Sequence, residues 1–382
     1  MPHSRIKKGI SPSRNAELDF WKFVAIIIIV LHHSYMVLEN KRIFFAQGSL
    51  FVEFFFIISG YFMALSASKK PPAKIETLGS ETVSFVFGKI KTILPYYIFG
   101  SVVTLLANVV YQGFESTFQP GKLLRAPFTV LFLQASGIPS YNITGANWYL
   151  SAMFLSMLIL YPLLRKQTDI FMKVIAPFVS IMLYGYMLRH DGFLEGWSIW
   201  YGYACKGFLR AVSGISLGTV VFPVSKRLEK KNFDKVGLTI LSVVSTGAIL
   251  FSIFLLFRGF RKKSEAIIVL LFFVSLTVIA SRKANINAIF QNGFCVYLGK
   301  LSMAIFLTHP ACAKLMNAVA ENFESIAAFR KTDPGKIVFA LVFTLSSLLL
   351  GMICIAVTDP IEKKIKTALK NKKQTTEKAI DN

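Results

Sequence analysis

The chain has 382 residues, of which 54% are hydrophobic and only 16% charged, with 36 phenylalanines. So little charge excludes an ordinary soluble domain of this size, and repeated apolar runs of bilayer length point to a polytopic membrane protein. The net charge of +23 falls mostly between those runs, which fits loops beside anionic lipid and excludes a nucleic-acid groove.

Residues 1–17 are basic and polar (Arg5, Lys7, Lys8, Arg14) and read as a cytoplasmic N-terminus. With the apolar run behind them they imitate a signal peptide, but HHSYM stands where a small-residue cleavage site would be, so the segment is expected to be retained. The stretch LDFWKFVAIIIIVLHHS, Leu18 to Ser34, is apolar from Phe23 to Leu31 and ionisable at both ends. At about 100° per residue, Lys22 and His33 fall within roughly 20° of one line and about 16 Å apart along a helix. Asp19 lies near that line, whereas His32 points roughly 80° away. Ionisable groups at such depth face a cavity or a partner.

The second run, FVEFFFIISGYFMA, forms a hairpin with the first about residue 43. Glu53 then mirrors His33 in depth, and a carboxylate among phenylalanines needs a partner, so the two are expected to pair. Ser59 and Gly60 suit close helix packing, and Ser59 is also a candidate nucleophile. The third run opens with Lys89 and Lys91 before LPYYIFG, a basic cluster suited to phosphate groups as well as to an inner interface. Residues 126–138 are too short to span and read as a re-entrant or interfacial piece.

The fourth run begins NWYLSAM, where Trp148 suits either an aromatic belt or a sugar face. Arg210 interrupts an apolar run in LRAVSGISLG, whose Ser213, Gly214 and Gly218 permit tight packing. His309 precedes Pro310 in LGKLSMAIFLTHP and ranks below His33, since a lone histidine is commonly a satisfied core residue. Cys205, Cys295, Cys312 and Cys354 are scattered without ligand spacing and read as buried thiols, with neither disulfide framework nor metal site.

In all, ten apolar runs are placed at about 20–38, 48–66, 88–112, 147–164, 170–188, 203–222, 236–257, 265–281, 295–317 and 336–357. The fold expected is an all-α, polytopic transmembrane helix bundle of about ten spans. Lys/Arg-rich segments at the N-terminus, 67–87, 223–235 and the tail put both termini in the cytoplasm, with the basic stretch 258–263 against it. A membrane domain over 18–362 and a basic cytoplasmic tail over 363–382 complete the organisation.

LDFWK with the run to His33, FFFIISGYF, the basic stretch into LPYY, NWYLSAM, the Arg210-to-Gly218 segment, LGKLSMAIFLTH and DPIEKK together resemble the acyltransferase family 3 of integral membrane proteins. The likeness runs from about residue 15 to about 365, carried by the order and spacing of the motifs. The family pattern of an arginine, ten residues and a histidine has Lys22 at the arginine position and His33 at the histidine. The family's arginine pair before the third-span proline is matched by Lys89 and Thr92, with Lys91 adjacent.

The resemblance implies transfer of an acyl group, usually acetyl from acetyl-CoA, to a hydroxyl of a cell-envelope carbohydrate, in the plasma membrane of a bacterium. His33 and Glu53 would be catalytic, and Lys22, Lys89 and Lys91 would bind the donor. Trp148, Arg210, His309 and Ser59 would orient the acceptor or support the site. Membrane lipid and a carbohydrate are the partners implied, with no nucleic acid and no metal. A secondary transporter and a polysaccharide-export protein are the alternatives from other classes.

Overall fold

The computed structural model describes residues 14–259 and 265–380, with side chains through residue 364. Expectations for the first thirteen residues, for most of the 258–263 stretch and for the end of the tail lie outside the described residues. Ten main helices account for the ten apolar runs: α1 (Ala16–His33), α2 (Phe51–Ala67), α3 (Ile75–Gln112), α4 (Trp148–Lys166), α5 (Thr168–Asp191), α6 (Lys206–Lys230), α7 (Lys235–Phe257), α8 (Glu265–Ser281), α9 (Gly293–Asn322) and α10 (Asp333–Ile380). Eight helical segments among the described residues, α2 to α7 with α9 and α10, are long and apolar enough to cross a membrane. Helix α8 is apolar but shorter, and α1 carries Glu17, Asp19 and Lys22 in its first turns. Extended pairing among the described residues is confined to a bridge between Trp200 and Cys205.

Local chemistry sets the helix ends. Asn15 caps α1 by accepting from Leu18 N–H, and Glu17 and Asp19 favour its positive N-terminal end. Asp234 and Asn292 cap α7 and α9 in the same way. Residues 126–138 do not form a spanning element: a short helix, Pro120–Val130, gives way to irregular chain pinned where Ser151 Oγ donates to the Phe132 carbonyl at 2.6 Å.

Packing grades the helices into centre and rim. Helix α2 lies directly against α6, where a methyl group on Gly60 would sit 2.0 Å from the Ile215 carbonyl oxygen and one on Gly218 equally close to that of Ile57. Only glycine lets the two backbones approach so closely. Helix α9 is flanked by α1, α3 and α10. Helices α3, α5, α7 and α10 turn apolar side chains such as Phe178, Ile181, Val243 and Leu345 outward, the surface that lipid would cover. The space enclosed by α1, α2, α4, α6 and α9 holds the candidate site.

Candidate active site

One face of α1 organises the site. Lys22, Ile29 and His33, at spacings of seven and four residues, all line internal cavities. The larger cavity, about 570 Å³, is lined by His33, His309, Trp148 and Arg210. A smaller cavity adjoining it, about 200 Å³, holds Lys22, Lys89 and Ser59 among apolar neighbours such as Phe55, Met153 and Met157. A third, about 190 Å³, adds Arg14, Asp19 and Arg282. Neighbouring cavities share lining residues, so the three form a row along α1 from its N-terminal end to His33.

At the far end the imidazoles of His33 and His309 lie nearly parallel, at 10°, with His309 Nε2 3.1 Å from His33 Nδ1. Helix α9 makes this pairing directional. His309 Nδ1 lies 3.1 Å from the Ile305 carbonyl, which can only accept, so Nδ1 carries the proton. In the neutral pair His309 Nε2 is therefore an acceptor, and His33 Nδ1–H donates to it. His33 Nε2 is left with a bare lone pair and, among the described residues, no hydrogen-bond partner. The half-buried His33 side chain faces the large cavity. An imidazole held in this tautomer is arranged to take a proton from something in the cavity.

The expected pairing of Glu53 with His33 is corrected. Glu53 is fully buried, and its carboxylate lies 2.5 Å from Arg210 Nε and accepts from the Tyr184 hydroxyl at 2.6 Å. The hairpin sets the two residues at related depths, but Glu53 points to α5 and α6 while His33 points to α9. Depth is legible from spacing; direction around the helix axis is not. Arg210, 2% exposed, reaches the cavity wall and lies 5.3 Å from the centre of the Trp148 ring. Trp148 in turn lies parallel to Trp197, with ring centres 5.8 Å apart.

The roof of the large cavity carries no signal in the sequence. Residues Phe193 to Ile199 cover it, fastened by Glu265 accepting from Leu194 N–H at 2.6 Å and by the buried Lys206 bridging to Asp191 at 2.6 Å. Glu195 within it meets Arg42 at 2.6 Å and His32 Nε2 at 3.5 Å, while His32 Nδ1 lies 3.0 Å from the Phe45 carbonyl. Burial works against ionisation of Glu195, but hydrogen bonds from His32 and Arg42 outweigh it and hold the carboxyl at about 2. His32 thus braces the roof, although its ring also touches the cavity. Arg42 and Glu195 stand 153 residues apart in loops without periodicity, so no one-dimensional signal joins them.

At the other end Asp19 holds two cations, Arg14 and Lys22, each at 2.7 Å. A methyl group on Gly299 would sit 2.4 Å from Asp19, so glycine there lets α9 close against this carboxylate. Lys89 joins Lys22 in the smaller cavity, but Lys91, two residues on, is exposed and lines none of the three cavities. Its expected place at the donor site is corrected: two residues turn it about 200° around α3. Ser59 lies in the smaller cavity, not beside His33, with its Oγ 3.3 Å from the Tyr149 hydroxyl and 3.4 Å from Met153 Sδ. No group of three or more His, Cys, Asp or Glu side chains able to hold a metal occurs among the described residues. All four cysteines are buried free thiols.

A family model described as an acyltransferase domain matches residues 15–356. No curated protein and no solved structure matches the chain.

Proposed function

The chain belongs to acyltransferase family 3 and is a membrane acyltransferase; from that premise we propose that it moves an acetyl group from acetyl-CoA to a hydroxyl of a cell-envelope carbohydrate. The observation that carries the reading is the directed chain from His33 through His309 to the Ile305 carbonyl, which leaves a base aimed into the larger cavity. The acceptor hydroxyl gives its proton to His33 Nε2 as its oxygen attacks the thioester carbonyl. The carbon–sulfur bond then breaks, and the thiolate leaves with the proton returned from the imidazolium. An ester and a free thiol result, with no net change in protons. His309 keeps the ring oriented and shares the charge formed on it.

The donor would enter past Arg14 and Lys22, whose positive charge suits its phosphates, and extend along α1 towards His33. Lys22 and His33 are about 16 Å apart along the helix, a span that suits a thioester on a long carrier arm. The acceptor would occupy the larger cavity beside Trp148 and Arg210. Both termini would be cytoplasmic, on the strength of the Lys/Arg asymmetry of the loops, and the membrane a bacterial plasma membrane, as the resemblance implies.

Mass spectrometry of envelope carbohydrates from cells carrying the wild type, His33→Ala or His32→Ala tests this. The wild type adds acetyl groups, His33→Ala adds none while still accumulating in the membrane, and His32→Ala retains much of the modification. Identical carbohydrates in the wild type and the His33→Ala strain would overturn the reading. A transporter would instead move a solute that leaves covalently unchanged.

A further inference from the structure

The cavity of Lys22 and the cavity of His33 meet at one wall, because Ile29, Val52, Tyr149 and Phe306 line both. Ile29 precedes His33 by four residues and Phe306 precedes His309 by three, so these two members of the wall sit about one helical turn, roughly 4.5–6 Å along the axis, before the histidines. Three of its members are held fast. Ile29, Val52 and Tyr149 are buried, and the Tyr149 ring stacks on Phe56 with centres 4.7 Å apart while its hydroxyl meets Ser59. Phe306 is only half-buried and touches Tyr149 edge-on, with centres 5.4 Å apart. It is the member with room to turn aside.

We infer that this wall, with Phe306 as its movable member, selects the transferred acyl group by its width. The inference rests on the reading that the donor enters on the Lys22 side. A thioester carbonyl that reaches His33 must pass between these four side chains, and the carrier arm then occupies the gap behind it. An unbranched acyl chain has about the cross-section of that arm, so the wall does not resist its length. A branch beside the carbonyl is wider and must push Phe306 further from its packed neighbours. The wall therefore discriminates by branching rather than by carbon number.

Butyryl-CoA and isobutyryl-CoA are isomers and separate width from mass and hydrophobicity. In vesicles of proven orientation the wild type should favour butyryl transfer by about tenfold or more, the size of effect that one misplaced methyl group produces in a packed site. Phe306→Leu should narrow that ratio and Phe306→Ala should bring it close to one. Tyr149→Phe, which keeps the ring, should leave the ratio as in the wild type. A wild-type ratio near one, or a ratio unchanged in both inserted Phe306 variants, overturns the inference. If the wild type uses none of acetyl-, butyryl- or isobutyryl-CoA, the donor reading fails instead, and the wall is judged by access. With the four native cysteines replaced, Ser59→Cys should react with a small charged thiol reagent from one face of sealed vesicles. Adding Phe306→Ala should open it from both. Reaction from both faces with Phe306 intact, or from one face only in its absence, overturns the wall.

Discussion

Replacing His309 by phenylalanine tests the hydrogen-bond chain at its middle. The substitution keeps a ring in the space bounded by Phe306 and Phe343, with centres 6.5 Å and 6.4 Å from that of His309, and removes the acceptor for His33 Nδ1–H. A buried donor left without a partner costs about 1–3 kcal/mol. If that cost falls on the productive tautomer, the transfer rate drops by about 5- to 150-fold, at about 1.4 kcal/mol per factor of ten. Loss of the base itself in His33→Ala should be deeper, on the order of 10²- to 10⁴-fold. His309→Gln, whose amide oxygen can accept from Nδ1–H, should recover part of the loss. The assay is thiol release from acetyl-CoA in vesicles supplied with envelope carbohydrate, normalised to inserted protein. The fall should appear in kcat, with the donor KM little changed, because His309 lies away from the Lys22 end. A His309→Phe rate within about twofold of the wild type would refute the tautomer argument. A loss confined to donor KM would refute it as well.

Glu53→Gln leaves Arg210 buried without its counter-charge, which costs about 3–5 kcal/mol; thermal stability in detergent should fall sharply, and Glu53→Gln with Arg210→Met should regain much of it. A Glu53→Gln protein of unchanged stability would show that the pair is not the support described. Lys22→Ala should raise the donor concentration needed for half-maximal rate, Lys22→Arg should restore it, and Lys91→Ala should change little; donor titration decides among them. Glu195 should contribute no step to the acidic limb of the rate profile. Its carboxyl is held at about 2, below the ordinary 4.5, so its ion pair with Arg42 acts fully above about pH 4.5 and fades only as pH falls towards 2. Glu195→Gln should therefore weaken acceptor use without moving that limb, and a displaced limb would contradict the assignment.

The helices were legible because a bilayer-length apolar run is a one-dimensional signal, and each of the ten runs falls on a helix. Gly60 and Gly218 were legible as small residues, and the structure sets them against each other between α2 and α6. Arg210 and Glu53 are each legible as a charge in an apolar run, yet not as partners, because 157 residues separate them. His33 was visible through its alignment with Lys22. Its partner His309, 276 residues away, looked like any core histidine until α9 was placed beside α1. Lys91 shows the opposite: closeness in sequence to Lys89 says little about which side of a helix faces the cavity. The roof formed by Phe193 to Ile199 left no trace, since irregular chain has no period to read.

The central claim is that acyl groups pass from a thioester to a hydroxyl through the base at His33. Sealed vesicles given acetyl-CoA labelled in its acetyl group on the Lys22 side, with envelope carbohydrate on the other, test it most directly. Label should become ester-linked to carbohydrate in the wild type and stay on the donor in His33→Ala. Label that crosses the vesicle without forming an ester, or an ester formed equally well by His33→Ala, would contradict the claim.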